Sequence, residues 1–161
     1  MDRRIPMAVS VSLLAMACGL VYVERSAPEA GTIGDTRMII SAEAAYQSVN
    51  SGYYGTITCL ASPTACLPSY PRSGPTFLDP SFAAATVTKR QYTRQWFETK
   101  SAPGAPPGSI ERFCYAATTE VSGLHAIGGD STGIVGVARD NSTVCCTPDA
   151  QLDLSKCPPL K

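Results

Sequence analysis

The chain has 161 residues, 44% of them hydrophobic, and its 13 basic and 13 acidic side chains leave no formal net charge. That length holds one domain plus an anchor. Without a basic excess nothing steers the chain onto nucleic acid, so no DNA or RNA partner is expected, and no charge block or polar tract marks a disordered tail.

The N-terminus comes first. Asp2-Arg3-Arg4 leads into an apolar and small-residue run over 5–23, closed by Glu24-Arg25. That run approaches the roughly 20 residues needed to cross a bilayer as a helix. Arg3 and Arg4 on the short side predict a cytoplasmic N-terminus and an outer C-terminal portion, hence a single-pass inner-membrane protein. Residues 1–25 are therefore read as a membrane anchor or signal segment and 26–161 as an extracytoplasmic domain. Two other readings stand beside a retained anchor. Ala15-Met16-Ala17 has the form of a signal-peptidase site, although Gly19-Leu20-Val21-Tyr22-Val23 continues apolar past it. Cys18 is a lipidation candidate, but Leu14 lies four residues before it rather than the usual three.

Residues 24–31 contain Pro28 and read as a break, with Ser26 before Pro28-Glu29 as a helix start. From Thr32 to Val49 the period is helical. Met38, Ala42, Ala45 and Val49 form the predicted apolar stripe, with Ile39 and Tyr46 at its edge. Asp35, Arg37, Glu43 and Gln47 take the other side. Asn50-Ser51-Gly52 ends the helix. Residues 55–80 carry Pro63, Pro68, Pro71, Pro75 and Pro80 and read as loop, followed by a helical turn over 79–85. From Lys89 the period is two, with Tyr92, Arg94, Trp96 and Glu98 on one face. Ser101–Ser109 is a hairpin loop, Glu111–Thr118 a strand with Phe113 and Tyr115 opposite Cys114, and Gly123–Ile127 a strand. Gly128–Gly133 reads as a turn and Ile134–Ala138 as the last strand. The tail over 140–161 is predicted to lie along the surface. The fold class is α+β: an N-terminal hydrophobic helix continuing into or followed by an amphipathic helix, packed on an antiparallel sheet of roughly four strands.

Six of the seven cysteines lie beyond the apolar run: Cys59, Cys66, Cys114, Cys145, Cys146 and Cys157. An even set after a membrane-directing segment reads as up to three disulfides in an oxidising compartment. Zinc is the rival, but there is no C-x-x-C pair and His125 is the single histidine, so no metal site is expected. Cys59 and Cys66 are the first bridge. Cys145 and Cys146 do not pair with each other without strain, which leaves Cys114 and Cys157 as partners in either order.

No constellation of reacting groups stands out, so no catalytic residue, enzyme activity or cofactor is expected. His125, Asp130 and Ser131 are the elements of a hydrolytic triad, but no G-x-S-x-G surrounds Ser131, and a self-capping turn explains Asp130-Ser131. The glycines of 128–133 are not followed by Lys-Ser/Thr, which excludes a phosphate loop. Asn141-Ser142-Thr143 has the pattern of a glycosylation sequon. Tyr53, Tyr54, Tyr92 and Trp96 form an aromatic set that either binds a glycan or partner, or, as expected for Trp96 with Phe97, fills the helix–sheet core.

The run from Ala30 to Gln47, the Gly-Tyr-rich exit Ser51-Gly52-Tyr53-Tyr54-Gly55, and Gly129-Asp130-Ser131-Thr132-Gly133-Ile134-Val135 together resemble a type IV pilin or type II secretion pseudopilin. The resemblance implies a membrane-embedded helix running into an amphipathic helix, then a variable Cys-containing loop, then an antiparallel sheet. It also implies a structural subunit of a bacterial envelope filament or secretion apparatus, with membrane contact through residues 5–23 and self-association or other pilin-like subunits as partners. One departure is plain. The family's processing site is a Gly, then an aromatic residue or Met, then an apolar run with a Glu at its fifth position. Here Arg4 passes directly into Ile5-Pro6-Met7, and no Glu precedes Glu24.

Overall fold

The computed structural model describes the backbone of residues 8–84, 86–101 and 103–161, and side chains from residue 27 onward except at 85 and 102. The expected anchor over 5–23 therefore lies outside the described residues in its side chains, and residues 1–7 lie outside them entirely. Among the described residues no helix is long and apolar enough to cross a membrane.

A single helix, α1 (Ala8–Val49), runs 42 residues. It passes straight through the expected break at 24–31. Pro28 removes one backbone donor from the ladder without ending the helix; Thr32 donates its hydroxyl to the Pro28 carbonyl at 2.8 Å, and Thr36 donates to the Thr32 carbonyl at 2.9 Å. Both threonines are fully buried, so these bonds satisfy hydroxyls that water does not reach.

The buried face of α1 is Thr32, Thr36, Ile39, Ala42, Glu43 and Tyr46, continued by Asn50 just past its end. This corrects the predicted stripe. Met38 is 39% and Val49 55% exposed, and Ala45 is exposed too, whereas Glu43, placed on the solvent side, is completely buried. Ile39 and Tyr46 bury more apolar area than Met38 and Val49 with their alanine neighbours, and the helix is turned to seat them.

Two short strands, β1 (Tyr54–Gly55) and β4 (Ser109–Ile110), pair antiparallel as a ribbon, with Tyr54 opposite Ile110. Between β1 and the main sheet, the expected loop carries a short helix α2 (Ile57–Ala61), capped by the Thr56 hydroxyl on the Cys59 N–H, and 3₁₀ turns at Pro63–Ala65 and Pro80–Phe82. It is not merely a surface connection. Leu60, Leu67, Leu78 and Phe82 are buried in one cluster with Ile39, Tyr46, Ile110 and Phe113.

The main sheet has five strands in the order β2 (Thr86–Lys89), β3 (Tyr92–Glu98), β5 (Phe113–Thr118), β6 (Ile127–Asp130), β7 (Val135–Val137), each antiparallel to the next. It is the expected meander with one strand more. β2 joins β3 through Arg90 and Gln91, which take φ of 52° and 67° without a glycine. The strand expected at 123–127 starts at Ile127, and Gly128-Gly129-Asp130, expected in a turn, belong to β6.

Register sorts the two faces. Trp96, Tyr115, Gly129 and Val135 form one cross-strand row and Arg94, Ala117, Ile127 and Val137 another. These rows look toward α1, whose Thr36 and Ile40 side chains lie 2.6 Å and 3.0 Å from where a Gly129 Cβ would sit. The opposite face carries Gln95, Ala116, Gly128 and Gly136, and Phe97, Cys114 and Asp130. The C-terminal tail covers it: Cys145 and Leu152 pack on Gly128, and the Cys157 carbonyl on Gly136. The molecule thus has three layers, helix, sheet and tail. Phe97 packs under the tail with Cys114, Cys146 and Ala150, not in the helix–sheet core expected for it.

Candidate functional site

All six outer cysteines are paired. Cys59–Cys66 closes the short loop, Cys114–Cys146 ties the tail to β5, and Cys145–Cys157 closes the tail on itself. The adjacent Cys145 and Cys146 diverge because successive side chains of an extended backbone point to opposite sides. Asp130 completes the tail's attachment. One carboxylate oxygen accepts the Thr132 N–H and hydroxyl at 3.0 and 2.6 Å, and the other accepts the Leu152 N–H at 2.8 Å.

The elements of a triad are not brought together. Asp130 is committed to Thr132 and Leu152. The Ser131 carbonyl accepts the Tyr54 hydroxyl at 3.0 Å. His125 precedes β6 in a loop, not in the expected strand, and its ring Nδ1 lies 3.2 Å from Glu29 on α1, whose carboxylate also accepts the His125 N–H at 3.3 Å. The pair fastens the sheet to the helix next to Pro28. Asn141 is half-buried, and its side chain donates to the Val121 carbonyl at 3.4 Å. Asp140 beside it accepts from Ser142 and Thr143, and the Thr143 hydroxyl leads the bonds that hold its carboxyl below the usual range. Among the described residues no group of His, Cys, Asp and Glu is placed to hold a metal ion.

The aromatic set divides between core and surface. Tyr92 is buried, with its hydroxyl on the His125 carbonyl at 2.9 Å, and burial pushes its phenol up to about 12. Trp96 stacks on Phe113 at 5.3 Å and 3°, and donates its indole N–H to Glu98 at 2.7 Å. Tyr54 meets Phe113 edge-on at 5.1 Å.

The seam between α1 and the sheet holds the polar groups that sequence reasoning missed. Arg94, 1% exposed, donates to Asp35 at 2.7 Å, and the same carboxylate oxygen takes Arg90 at 2.8 Å. Arg94 Nε and Nη1 and the Tyr115 hydroxyl have no hydrogen-bond partner among the described residues. Burial raises the Tyr115 phenol, against the pull of the Arg94 guanidinium. Two turns along α1 from Asp35, Glu43 accepts the Gly55 N–H at 2.9 Å through Oε2, while its Oε1, the Tyr46 hydroxyl and the Asn50 Oδ1 have no hydrogen-bond partner among the described residues. Burial carries the Glu43 carboxyl up to about 8 and the Tyr46 phenol up to about 12. The signal available in the sequence was spacing: Asp35, Glu43 and Asn50 share the inward face with Ile39 and Tyr46 once the helix is phased on its largest apolar side chains.

Beyond the sheet, α1 presents Ala30, Gly34, Arg37, Met38, Ser41, Ala44, Ala45, Ser48 and Val49 outward, a mostly small-residue surface. The chain is thus a disulfide-bonded α+β domain on a long helix. No protein-family model, no curated protein and no solved structure matches it.

Proposed function

We propose that the chain is a membrane-anchored, pilin-like or pseudopilin-like structural subunit of a bacterial envelope filament or secretion apparatus. The observation that carries this reading is the continuity of α1 (Ala8–Val49): its described side chains from Glu29 onward pack on the sheet, and the same unbroken helix runs back into the apolar sequence before Glu24. The apolar sequence of residues 5–23 suits a single span of the inner membrane, and Arg3-Arg4 suit a cytoplasmic N-terminus with the domain in the periplasm or outside the cell. Three disulfides favour an oxidising compartment. The pilin-like arrangement of long helix, Cys-closed loop and antiparallel meander supports the resemblance, and assembly would use packing surfaces rather than reacting groups.

A second reading is favoured by the passage from Arg4 into Ile5-Pro6-Met7 and by the lack of Glu before Glu24: a tethered extracytoplasmic binding domain, or a lipoprotein acylated on Cys18, that acts alone. Mass spectrometry of the mature N-terminus, combined with cross-linking in intact cells, separates the two. A cut at the head of the apolar run with a methylated first residue, together with a ladder of cross-linked oligomers, supports the subunit. An intact or lipidated start with monomers alone rejects it.

A further inference from the structure

We propose that Glu43 is a proton-operated lock on the seam between α1 and the β1–β4 ribbon. Protonated, it holds the ribbon and the α2 loop on the helix; ionised, it lets them open while the five-stranded sheet stays formed.

The geometry sets up the lock. Glu43 is completely buried, and its only bond among the described residues is the one Oε2 accepts from the Gly55 N–H in β1. The helix and ribbon are pressed together at that point, since a Cβ on Gly55 would lie 2.8 Å from the Tyr46 ring. A buried carboxylate needs several donors or a cation, and Glu43 has one donor. From α1 itself the titratable group in its field is the Tyr46 phenol, which is also buried and has no partner among the described residues. From β3 it meets Glu98, a charge of the same sign. β1 and β4 bring no charged side chain, and their one phenol, Tyr54, is bonded to the Ser131 carbonyl. α2 brings Cys59, which is in a disulfide. On β5 the titratable group is the buried Tyr115 phenol, and Asp130 of β6 lies on the far face with the tail. Two turns earlier on α1, Asp35 is paired with Arg94 and Arg90. Ionised Glu43 is thus left with one amide and a like charge, and reaching water is its relief.

Burial accordingly raises its carboxyl from 4.5 to about 8. With the folded value above the unfolded one, the closed seam holds the proton that the open seam releases. The stabilisation is complete below 4.5 and is lost as pH rises toward about 8. Opening begins at the ribbon because it has two residue pairs and no disulfide of its own, whereas β3 and β5 are joined by six pairs and β5 is tied to the tail through Cys114.

The test is amide hydrogen exchange by NMR on the full-length chain in detergent micelles, disulfides intact, between pH 6 and 8.5. Protection factors, already corrected for intrinsic exchange, should fall about tenfold or more at Gly55 and Thr56 while Ala116 and Gly128 hold theirs. In Glu43→Gln the ribbon amides should stay protected across the range. The proposal is overturned if the Glu43 carboxyl carbon titrates in the ordinary carboxylate range. It is equally overturned if wild type and Glu43→Gln lose ribbon protection in parallel, or if sheet and ribbon amides open together. Should Glu43→Gln not fold, the carboxyl titration and the wild-type exchange decide the matter between them.

Discussion

At the scale of single residues, the helix–sheet seam holds one charge that water does not reach, that of Arg94. Its guanidinium is 1% exposed, its bond to Asp35 is 2.7 Å, and the Thr32 hydroxyl at 3.5 Å is a marginal second partner. The face of Phe82 lies 5.6 Å from the guanidinium carbon, with Lys89 over the same ring at 4.2 Å. A buried ion pair adds little net stability over an apolar pair of the same volume, but removing one partner leaves the other charge stranded. Asp35→Ala is therefore expected to cost about 3–5 kcal/mol in urea unfolding. The loss falls on Arg94, because Arg90, the other partner of Asp35, is 45% exposed and returns to water. Asp35→Ala combined with Arg94→Met should recover most of the loss, to within about 1 kcal/mol of wild type. A double variant as unstable as the single one would show that the aspartate acts through something other than the buried arginine.

At the scale of elements, close approach decides what forms where, and this is where the sequence was hardest to read. Gly128-Gly129 carries the composition of a turn, yet both residues lie in β6 with neighbours pressed on either side. Gly128 faces Cys145 at 2.5 Å and Leu152 at 3.0 Å from a Cβ position, and Gly129 faces α1. Those neighbours are remote in sequence, so no local pattern announces them. The same holds for the phase of α1. Hydropathy spacing favoured Met38, Ala42, Ala45 and Val49; Ala42 is buried as expected, but the cluster under the helix is filled by Ile39 and Tyr46 rather than Met38, Ala45 and Val49, and Glu43 and Asn50 are drawn in beside them. Where the pattern was local it read correctly. The alternation Tyr92-Arg94-Trp96-Glu98, the strand with Cys114 facing away from Phe113 and Tyr115, and the short turn after Asp79 all appear as expected. Gly129→Ala tests the close approach. Its Cβ would meet the Thr36 methyl at 2.6 Å and Ile40 at 3.0 Å, so the helix must lift off β6. The expected loss is about 1–3 kcal/mol in urea unfolding. Gly34→Ala, where nothing lies within 4 Å on the outward face of α1, should be neutral or slightly stabilising, by up to about 1 kcal/mol.

At the scale of the whole molecule, helix, sheet and tail are joined unequally, and the disulfides mark the difference. Cysteine spacing made Cys59–Cys66 legible, while the partners of Cys145 and Cys146 stayed open until the tail was seen on the outer face of the sheet. In the chain-entropy account a cross-link stabilises according to the loop it closes. The separations are 32 for Cys114–Cys146, 12 for Cys145–Cys157 and 7 for Cys59–Cys66. Replacing each pair by serine is therefore expected to cost about 4, 3 and 2 kcal/mol in that order. The packing around each bridge reinforces the ranking. Cys114 and Cys146 join two layers beneath Phe97 and Ala150, and Cys145 and Cys157 are fully buried with Ala126 and Leu152. Cys66 is partly exposed, and the loop it closes is also held by the Phe77 and Leu78 amides on the Leu60 carbonyl at 3.0 and 3.1 Å. Urea midpoints of the three paired serine variants check the order. If the Cys145–Cys157 variant proved the least stable, the tail's own closure, with its Asp153 carbonyl accepting the Cys157 N–H at 2.8 Å, would outweigh its attachment to β5. The outer layer would then be a unit that folds first and docks second, rather than a strap that is ordered only because the sheet is already there.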